Sequence, residues 1–179
     1  MREVYFHEDD YCQLELVAAA DADFCLRQMR QIEAFSNEHR DGEGWNDVLV
    51  RSAAPTPLSS LGISRGEFVE SIPASLPAFD RVLTGYGSQS IVCKRTLAFG
   101  PHTGLVAFAD VGEDDCVFAV WFTLDLTTPD DVDVALQLTK SLSRWPAALA
   151  DWGWNALLPL TDSDALTRYF RKRIEVFGS

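Results

Sequence analysis

Basic side chains are scarce in this sequence. Its 179 residues include 15 lysines and arginines against 27 aspartates and glutamates, which gives a formal net charge of −12. Because nucleic-acid phosphates are held by lysine and arginine side chains that release counterions, this balance disfavours direct binding to nucleic acid. An anionic membrane surface is disfavoured for the same electrostatic reason. A basic protein partner, in contrast, is compatible with the charge.

Long apolar runs, a secretory leader pattern and paired cysteines are also missing. No apolar run reaches the roughly 20 residues that span a bilayer, and no basic stretch followed by an apolar one stands at the N-terminus. The four cysteines form no Cys-x-x-Cys pair and lie in apolar runs, so we interpret them as small buried thiols: Cys12, Cys25, Cys93 and Cys116. These features predict a cytoplasmic protein without membrane contact.

What is present is the composition of an ordinary globular domain. A hydrophobic fraction of 47% and a charged fraction of 23% are not those of a disordered chain. A chain of this length buries roughly 70% of the surface that its unfolded form exposes, so it needs no disulfide or metal for stability. We predict one domain over residues 1–179.

The N-terminal half predicts a β-hairpin, a helix and an irregular segment. Residues 4–7 and 11–17 alternate apolar and polar side chains, and three acids supply the turn between them: Glu8, Asp9 and Asp10. A helix is predicted from about Asp23 to Glu38, because apolar side chains recur there at spacings of three and four: Cys25, Met29, Ile32 and Phe35. Residues 41–87 carry four of the eight prolines, which predicts loops with short strand and helical pieces.

Three consecutive strands are predicted next, over Gln89–Phe99, Gly104–Val111 and Cys116–Leu126. Their short connections favour antiparallel neighbours. The second connection carries three more acids: Glu113, Asp114 and Asp115. Residues 117–122 are nearly all apolar, which predicts a central strand covered on both faces.

The C-terminal third predicts a helix, a strand and a helix. Thr128 and Pro129 are typical of a helix start, and residues 161–164 predict the start of a second helix. Between the two helices, Leu149–Leu160 predicts a strand whose alternation places Trp152 and Trp154 on one face. The complete order is ββα, an irregular segment, βββ and αβα. It predicts an α+β fold, a mostly antiparallel sheet with about three helices packed on it.

Residues 62–66 match the Gly-x-Ser-x-Gly pattern of a nucleophile elbow. The strand that such an elbow needs is missing, because residues 53–61 carry two prolines and several hydroxyl side chains. We therefore interpret Ser64 and Glu67 as the capping box of a short helix. The glycine-rich residues 85–89 precede a strand and not a helix, so they predict a turn instead of a phosphate cradle.

Histidines and ligand clusters give no catalytic or metal site. All three histidines lie in or beside predicted turns: His7, His39 and His102. His102 has the most loop-like surroundings and would be the candidate base. Residues 7–10 have no recognised ligand spacing, and neither has a second group, formed by His39, Asp41 and Glu43. We predict no catalytic residue, no metal and no cofactor. The one basic cluster is interpreted as a solvated helix face: Arg168, Arg171, Lys172 and Arg173.

Two stretches, residues 2–13 and 145–154, resemble a group of small bacterial proteins. These are immunity proteins of the kind found beside polymorphic or contact-dependent toxins. The resemblance implies a cytoplasmic protein that binds and blocks one cognate toxin without catalysis. It assigns no functional residue to a position of this chain.

We therefore expect a non-enzymatic binding protein, in which acidic turns steer a basic toxin and an aromatic patch anchors it. The candidate partner contacts are Glu8, Asp9, Asp10, Glu113, Asp114, Asp115, Trp152 and Trp154. Core packing is the other interpretation of the tryptophans. The alternative function is a small enzyme or ligand-binding domain with a site built around residues 41–87, since long irregular segments are uncommon unless they are functional. A homo-oligomeric structural protein is the third hypothesis.

Overall fold

The computed structural model describes residues 1–42, 44–47, 49, 53–85, 89–101 and 104–177. These residues form eleven strands: β1 Glu3–Tyr5, β2 Leu14–Ala18, β3 Arg40–Asp41, β4 Gly44–Trp45, β5 Arg81–Thr84, β6 Ile91–Val92, β7 Thr96–Phe99, β8 Leu105–Val111, β9 Val117–Leu124, β10 Ala147–Asp151 and β11 Ala156–Pro159. They also form four α-helices: α1 Ala22–Glu38, α2 Arg65–Ser71, α3 Pro129–Leu142 and α4 Ser163–Phe177. Within the described residues, no helix combines the length and the apolar character that a bilayer crossing requires.

The main sheet has six strands in the order β11-β10-β2-β9-β8-β7. All of its neighbouring strands are antiparallel. A small mixed sheet, β1-β5-β6, and the ribbon β3-β4 complete the strand pairing. The predicted α+β class with a mostly antiparallel sheet is thus confirmed.

One face of the main sheet carries the largest apolar cluster, against which α2, α3 and α4 pack. Helix α3 contributes side chains that recur every three or four residues and so lie on one side of the helix: Val132, Ala135, Leu138 and Leu142. Helix α4 contributes Leu166 and Phe170 to the same cluster. Burial of each such large side chain contributes roughly 1.5–3 kcal/mol, so this face supplies much of the stability.

The opposite face of the main sheet is covered in two separate places. Helix α1 packs Cys25 and Met29 against an apolar cluster that includes Trp152. Val82 of the small sheet and Phe6, which directly follows β1, pack over an aromatic cluster around β8 and β9. Between the two coverings lies the strip where β2 runs beside β9, and this strip positions one of the grooves described below.

The predicted N-terminal hairpin is wrong. Strand β1 pairs in parallel with β5, so that Val4 lies opposite Val82 in the small sheet. Strand β2 belongs to the main sheet, between β10 and β9. The acids between β1 and β2 form a turn of 3₁₀-helix, Glu8–Asp10, which His7 caps by accepting a hydrogen bond from the backbone N–H of Asp9. Alternation located both strands to within about three residues, but it carries no information about the partner of a strand.

The predicted strand over 149–160 is also wrong. It is a hairpin of β10 and β11, with a four-residue turn at residues 152–155. Asn155 has a φ of 51°, a left-handed conformation that asparagine tolerates better than most residues. Gly153 and Asn155 were the turn signal in this stretch. Trp152 and Trp154 therefore lie in a turn, where strand alternation does not apply.

Two strand predictions are confirmed only in part. The stretch 89–99 holds β6 and β7, which belong to different sheets. Strand β9 has neighbours on both sides, but Phe118 is 38% exposed, so this strand is not covered along its full length. The predicted antiparallel order of consecutive strands is confirmed, since β8 pairs with β7 on one side and with β9 on the other.

The irregular segment, residues 41–87, contains short elements. They are the ribbon strand β4, a 3₁₀ turn at Leu58–Leu61, helix α2 and strand β5. Ser64 caps α2 in the predicted capping box with Glu67. Val48 and Val50, part of the short strand that the sequence predicts here, lie outside the described residues.

Candidate functional site

The two acidic turns of the sequence lie at opposite ends of the main sheet. Residues 8–10 precede β2, and residues 113–115 precede β9. Strands β2 and β9 are antiparallel, with Glu15 opposite Trp121, so the beginnings of the two strands point to opposite ends. The eight residues of β9, roughly 26 Å of strand, lie between the two ends. The acids at 8–10 and 113–115 therefore do not form one surface.

The turn at residues 113–115 is surrounded by cations. Arg95 donates from Nη2 to Glu113 Oε1 over 3.1 Å. Arg65 and Lys94 line the same groove of about 220 Å³, together with Glu113 and Asp115. Asp114 Oδ1 accepts a hydrogen bond from the backbone N–H of Cys116, as a turn residue does. The negative charge of this turn is thus largely balanced where it stands.

The turn at residues 8–10, in contrast, lies among further acids. Asp10 and Asp125 line one groove of about 290 Å³. The carboxylate of Asp131 is close by, because the space beside the Gly104 Cα is bounded by Asp131 Oδ1 and by the carbonyl oxygen of Asp125. We call this surface the acidic end and define it by six residues: Glu8, Asp9, Asp10, Asp125, Asp130 and Asp131. All of them except the half-buried Asp131 are exposed.

Asp131 belongs to the acidic end and also caps a helix. Burial works against its charge, but hydrogen bonds from Thr127 and Thr128 outweigh burial and lower the pKa of this carboxyl. Thr128 and Asp131 form a reciprocal capping box at the start of α3. The charge at this position is therefore fixed by the fold and persists to low pH.

A buried ionic network lies below the acidic end. Asp151, at the end of β10, is 2% exposed and accepts hydrogen bonds from Tyr169 Oη over 2.5 Å and from Arg173 Nη2 over 3.2 Å. Its other oxygen accepts from the backbone N–H of Trp154 over 3.0 Å. Burial, followed by the charge of Asp151, raises the pKa of Tyr169. The phenol therefore remains a donor, and the network ties the 152–155 turn to α4.

Arg173 corrects one interpretation of the sequence. Its side chain is only 15% exposed, and its guanidinium lies 4.7 Å from the centre of the Trp154 ring. The prediction that the whole basic cluster of α4 is a solvated face is therefore wrong for Arg173. It also lines the groove that Asp10 and Asp125 share.

Trp152 and Trp154 point to opposite sides of the sheet. Trp152 is 4% exposed, packs in the cluster under α1 and donates from Nε1 to Glu15 Oε1 over 2.7 Å. Trp154 is half-buried and meets the Tyr169 ring edge-on at 5.9 Å, on the side of α4. Trp152 is thus a core residue, and Trp154 lies beside the acidic end.

A second groove lies along the strip where β2 runs beside β9. We call it the β2–β9 groove. It has a volume of about 270 Å³ and is lined by Tyr11, Cys12, Glu15, Leu16, Ala54, Pro55, Thr56, Pro57, Leu58, Phe118 and Ala119. Residues 54–58 are held beside α1, because Asp21 accepts hydrogen bonds from both the backbone N–H and the hydroxyl of Thr56. The groove is therefore built by parts of the chain that are distant in sequence.

Phe118 reaches this groove through a β-bulge. In the pairing of β8 with β9, Asp110 lies opposite Ala119 and Val111 lies opposite Val117. Phe118 is the extra residue between these pairs. A bulge of this kind turns a side chain away from its regular direction, and bulges are frequent beside functional sites.

Tyr11 forms another wall of the β2–β9 groove. Its hydroxyl donates to Asp110 Oδ2 over 3.2 Å, and its ring lies 4.7 Å from that of Trp121. Burial raises the pKa of Asp110, although hydrogen bonds from Thr96 and Tyr11 counteract part of this effect. Among the described residues, the buried Nε1–H of Trp121 has no acceptor.

Cys12 also borders the β2–β9 groove, but its thiol is a poor nucleophile. Its φ of 54° is left-handed, which is uncommon for a residue with a side chain. Burial, followed by the neighbouring charge of Glu15, raises the pKa of this thiol well above its usual range. A reactive cysteine needs the opposite shift.

The remaining motifs have structural roles where the structure describes them. The Ser64 hydroxyl accepts from the Glu67 backbone N–H and donates to the Glu67 carboxylate, which confirms the capping box in place of a nucleophile elbow. His39 stacks on Phe35 at 3.9 Å, and its Nε2 lies 4.0 Å from Asp47 Oδ2. His102, Glu43 and most of the glycine-rich stretch 85–89 lie outside the described residues. Among those described, no three histidine, cysteine or acidic side chains converge as metal ligands would.

Sequence reasoning missed the buried carboxylates. Glu15 and Asp151 lie in strands that are otherwise apolar, and both are less than 10% exposed. A single acid in an apolar strand was the available signal, because a buried charge requires hydrogen-bond donors around it. The donors themselves, Trp152 and Tyr169, are identified only by the tertiary structure.

No family model, curated protein or solved structure matches this chain. The candidate surfaces are therefore interpreted from their own geometry and charge.

Proposed function

We propose that this protein is a non-enzymatic binding protein that recognises a basic protein partner through the acidic end. The observation that supports this function is the unequal charge at the two ends of the main sheet. The turn at residues 113–115 has three cations around it, whereas residues 8–10 lie beside further acids, Asp125 among them. A local concentration of exposed carboxylates accelerates association with a basic surface.

The partner class that we propose is a toxin, which the protein would neutralise by occlusion. The two stretches that resemble immunity proteins, residues 2–13 and 145–154, are neighbours in the fold. The backbone N–H of Trp152 donates to the Gln13 carbonyl, and the first stretch leads directly into β2, which pairs with β10. Both stretches contribute to the groove at the acidic end, which supports a shared role.

The acidic end also offers an aromatic contact. Trp154 is half-buried beside Arg173, and the turn that carries it is held by Asp151. A partly exposed tryptophan on a rigid turn is a frequent anchor in protein interfaces. We therefore assign long-range attraction to the carboxylates and short-range contact to Trp154.

Two charge variants with the same change in net charge test this function. One carries Asp9→Asn, Asp10→Asn and Asp125→Asn; the other carries Glu113→Gln, Asp114→Asn and Asp115→Asn. The native partner is captured from cells with the immobilised wild-type protein, and association rates are then measured at low salt. We expect the first variant to associate about tenfold more slowly, because steering by charge changes rates by 10-fold or more. The second variant should differ little from wild type.

Recovery of no protein partner at any salt concentration would remove the proposed function. An equal loss of association rate in both variants would remove the acidic end as the contact surface. Expression of the captured partner alone should arrest growth, and co-expression of this protein should restore it. A harmless partner would contradict the toxin assignment.

The alternative is a ligand-binding domain or small enzyme with a site in the irregular segment. The observation that favours it is the position of residues 54–58, which form one wall of the β2–β9 groove. A thermal-shift screen of metabolites tests this function. A metabolite that stabilises the wild-type protein but not Phe118→Ala would support it, and a screen without any such compound would count against it.

A further inference from the structure

We propose that the β2–β9 groove is the receptor for one arginine side chain of the basic partner. This inference rests on the proposed function, and it names the anchor contact that the acidic end alone does not supply. The guanidinium would lie at Glu15, and the apolar stem of the arginine would lie between Phe118 and the proline wall of residues 55–57.

The walls of the groove suit a flat cation with an apolar stem. Tyr11 and Phe118 are 39% and 38% exposed, so two large aromatic side chains that would normally be buried face solvent at the same groove. An aromatic ring attracts a cation that lies over its face, and guanidinium groups use this contact more often than ammonium groups do. Pro55 and Pro57 add rigid apolar surface to the lining of the groove.

The lining of the groove also includes an acidic side chain in a fixed position. Glu15 lines the groove although the residue is only 8% exposed. Its Oε1 accepts the Trp152 indole N–H over 2.7 Å, which orients the carboxylate. A charge at such low exposure interacts with a cation more strongly than a surface carboxylate does, because less water screens it. A planar guanidinium also matches the geometry of a carboxylate.

The groove and the acidic end are lined by consecutive residues of the chain. Asp10 lines the groove at the acidic end, and the next two residues, Tyr11 and Cys12, line the β2–β9 groove. Cys12, whose backbone is left-handed, lies two residues after Asp10, where the chain passes from one groove to the other. A basic partner attracted by the acidic end would therefore arrive beside the groove, where one arginine can insert.

The Trp152 indole N–H reports directly on the proposed contact. The chain has five tryptophans, and so five indole signals in a ¹H–¹⁵N NMR spectrum. The ¹⁵N-labelled full chain is titrated with N-acetyl-arginine amide and, separately, with N-acetyl-citrulline amide, which has the same shape without the charge. We expect the arginine probe to shift the Trp152 signal saturably. The citrulline probe should bind about tenfold more weakly, the difference that a charge-assisted hydrogen bond makes.

Four variants give the test its controls. Glu15→Gln removes the charge but keeps an acceptor for Trp152, and Phe118→Ala removes an exposed aromatic wall. The matched controls are Glu113→Gln, an exposed acid at the other end of the sheet, and Val69→Ala, an exposed apolar residue on α2 that does not line the groove. We expect the first two variants to weaken arginine binding about tenfold or more, and the two controls to bind as wild type does.

An equal response to arginine and citrulline would overturn the inference, and so would the absence of any response. Unchanged arginine binding in Phe118→Ala would also overturn it, and this variant decides the matter if Glu15→Gln fails to fold. The titration uses no protein partner. A negative titration therefore contradicts the arginine site and not the role of the acidic end. Failure to capture a partner contradicts the proposed function and not the titration result.

Discussion

At the scale of single residues, three buried or half-buried carboxylates on strands of the main sheet shape the candidate surfaces. Glu15 is oriented by Trp152, Asp110 by Thr96 and Tyr11, and Asp151 by Tyr169 and Arg173. Burying such a group is costly unless donors surround it. Each of these acids therefore fixes the position of its aromatic donor, and all three aromatic donors lie at or near a groove.

Asp110 should make stability depend on pH. Burial raises the pKa of this carboxyl in the folded protein above its value in the unfolded chain. The folded state therefore binds the proton more tightly, and the stabilisation from protonation is lost as pH rises through the folded-state pKa. We expect Asp110→Asn to gain stability relative to wild type as pH rises above about 4, measured by urea unfolding across the acid range.

The control for this prediction is Glu70→Gln, a substitution at an exposed acid on α2. Its stability relative to wild type should stay nearly constant over the same range, since a surface substitution changes stability by less than about 0.5 kcal/mol. Parallel pH profiles for wild type and Asp110→Asn would show that folding does not raise the pKa of Asp110.

At the scale of elements, acids at helix starts explain a part of the large negative charge. Asp131 completes the capping box of α3, and Asp162 accepts a hydrogen bond from the backbone N–H of Ala165 at the start of α4. Asp21, which precedes α1, makes no such cap and instead holds Thr56. Local sequence thus identifies an acid at a helix start, but the partner of that acid depends on what packs beside it.

Thr128→Ala should destabilise the protein by about 1 kcal/mol, the usual cost of losing an N-cap. The Thr128 hydroxyl accepts from the Asp131 backbone N–H and donates to the Asp131 carboxylate. Equilibrium unfolding in urea measures the loss. Thr161→Ala, at an exposed turn position before α4, is the matched control and should change stability by less than about 0.5 kcal/mol. Equal effects of the two substitutions would contradict the capping role.

At the scale of the whole molecule, charge is distributed unevenly along the main sheet. The acidic end gathers residues from the 8–10 turn, from the end of β9 and from the start of α3. The opposite turn, residues 113–115, is balanced by arginine and lysine side chains. Repulsion within the molecule is therefore concentrated at one end, the same end that we propose as the contact surface.

Salt should stabilise this protein through the acidic end. Screening reduces repulsion among exposed carboxylates, and we expect the melting temperature to rise by about 2–4 °C between low and moderate salt, as a gain of about 1 kcal/mol would produce. The variant Asp9→Asn, Asp10→Asn and Asp125→Asn should lose most of this rise. The matched variant at residues 113–115 should keep it. Differential scanning calorimetry measures both, and an equal salt response in the two variants would contradict a concentrated acidic end.

Prediction from the sequence succeeded where a signal is local. Helices α1, α3 and α4, the capping box at Ser64 and the N-cap at Thr128 follow from apolar spacing and cap residues within a few positions. The N-terminal hairpin failed, because β1 pairs with a strand that lies some eighty positions further along the chain. Of the candidate site, the sequence predicted the acids at residues 8–10 and Trp154. Phe118, Glu15 and Arg173 gained their roles from a bulge, a buried hydrogen bond and an ion pair between distant residues.

The sequence by itself determined the α+β class, the starts of the longer helices and the excess of acids, because periodicity, caps and composition are properties of neighbouring residues. The tertiary structure decided which acids stand together. In the folded protein, Asp10 lies beside Asp125 and Glu113 lies beside Arg95. Trp152 packs on the α1 side of the main sheet, and Trp154 packs on the α4 side. The physical reason is that electrostatic interaction depends on distance in space, and strand pairing sets that distance for residues far apart in the chain.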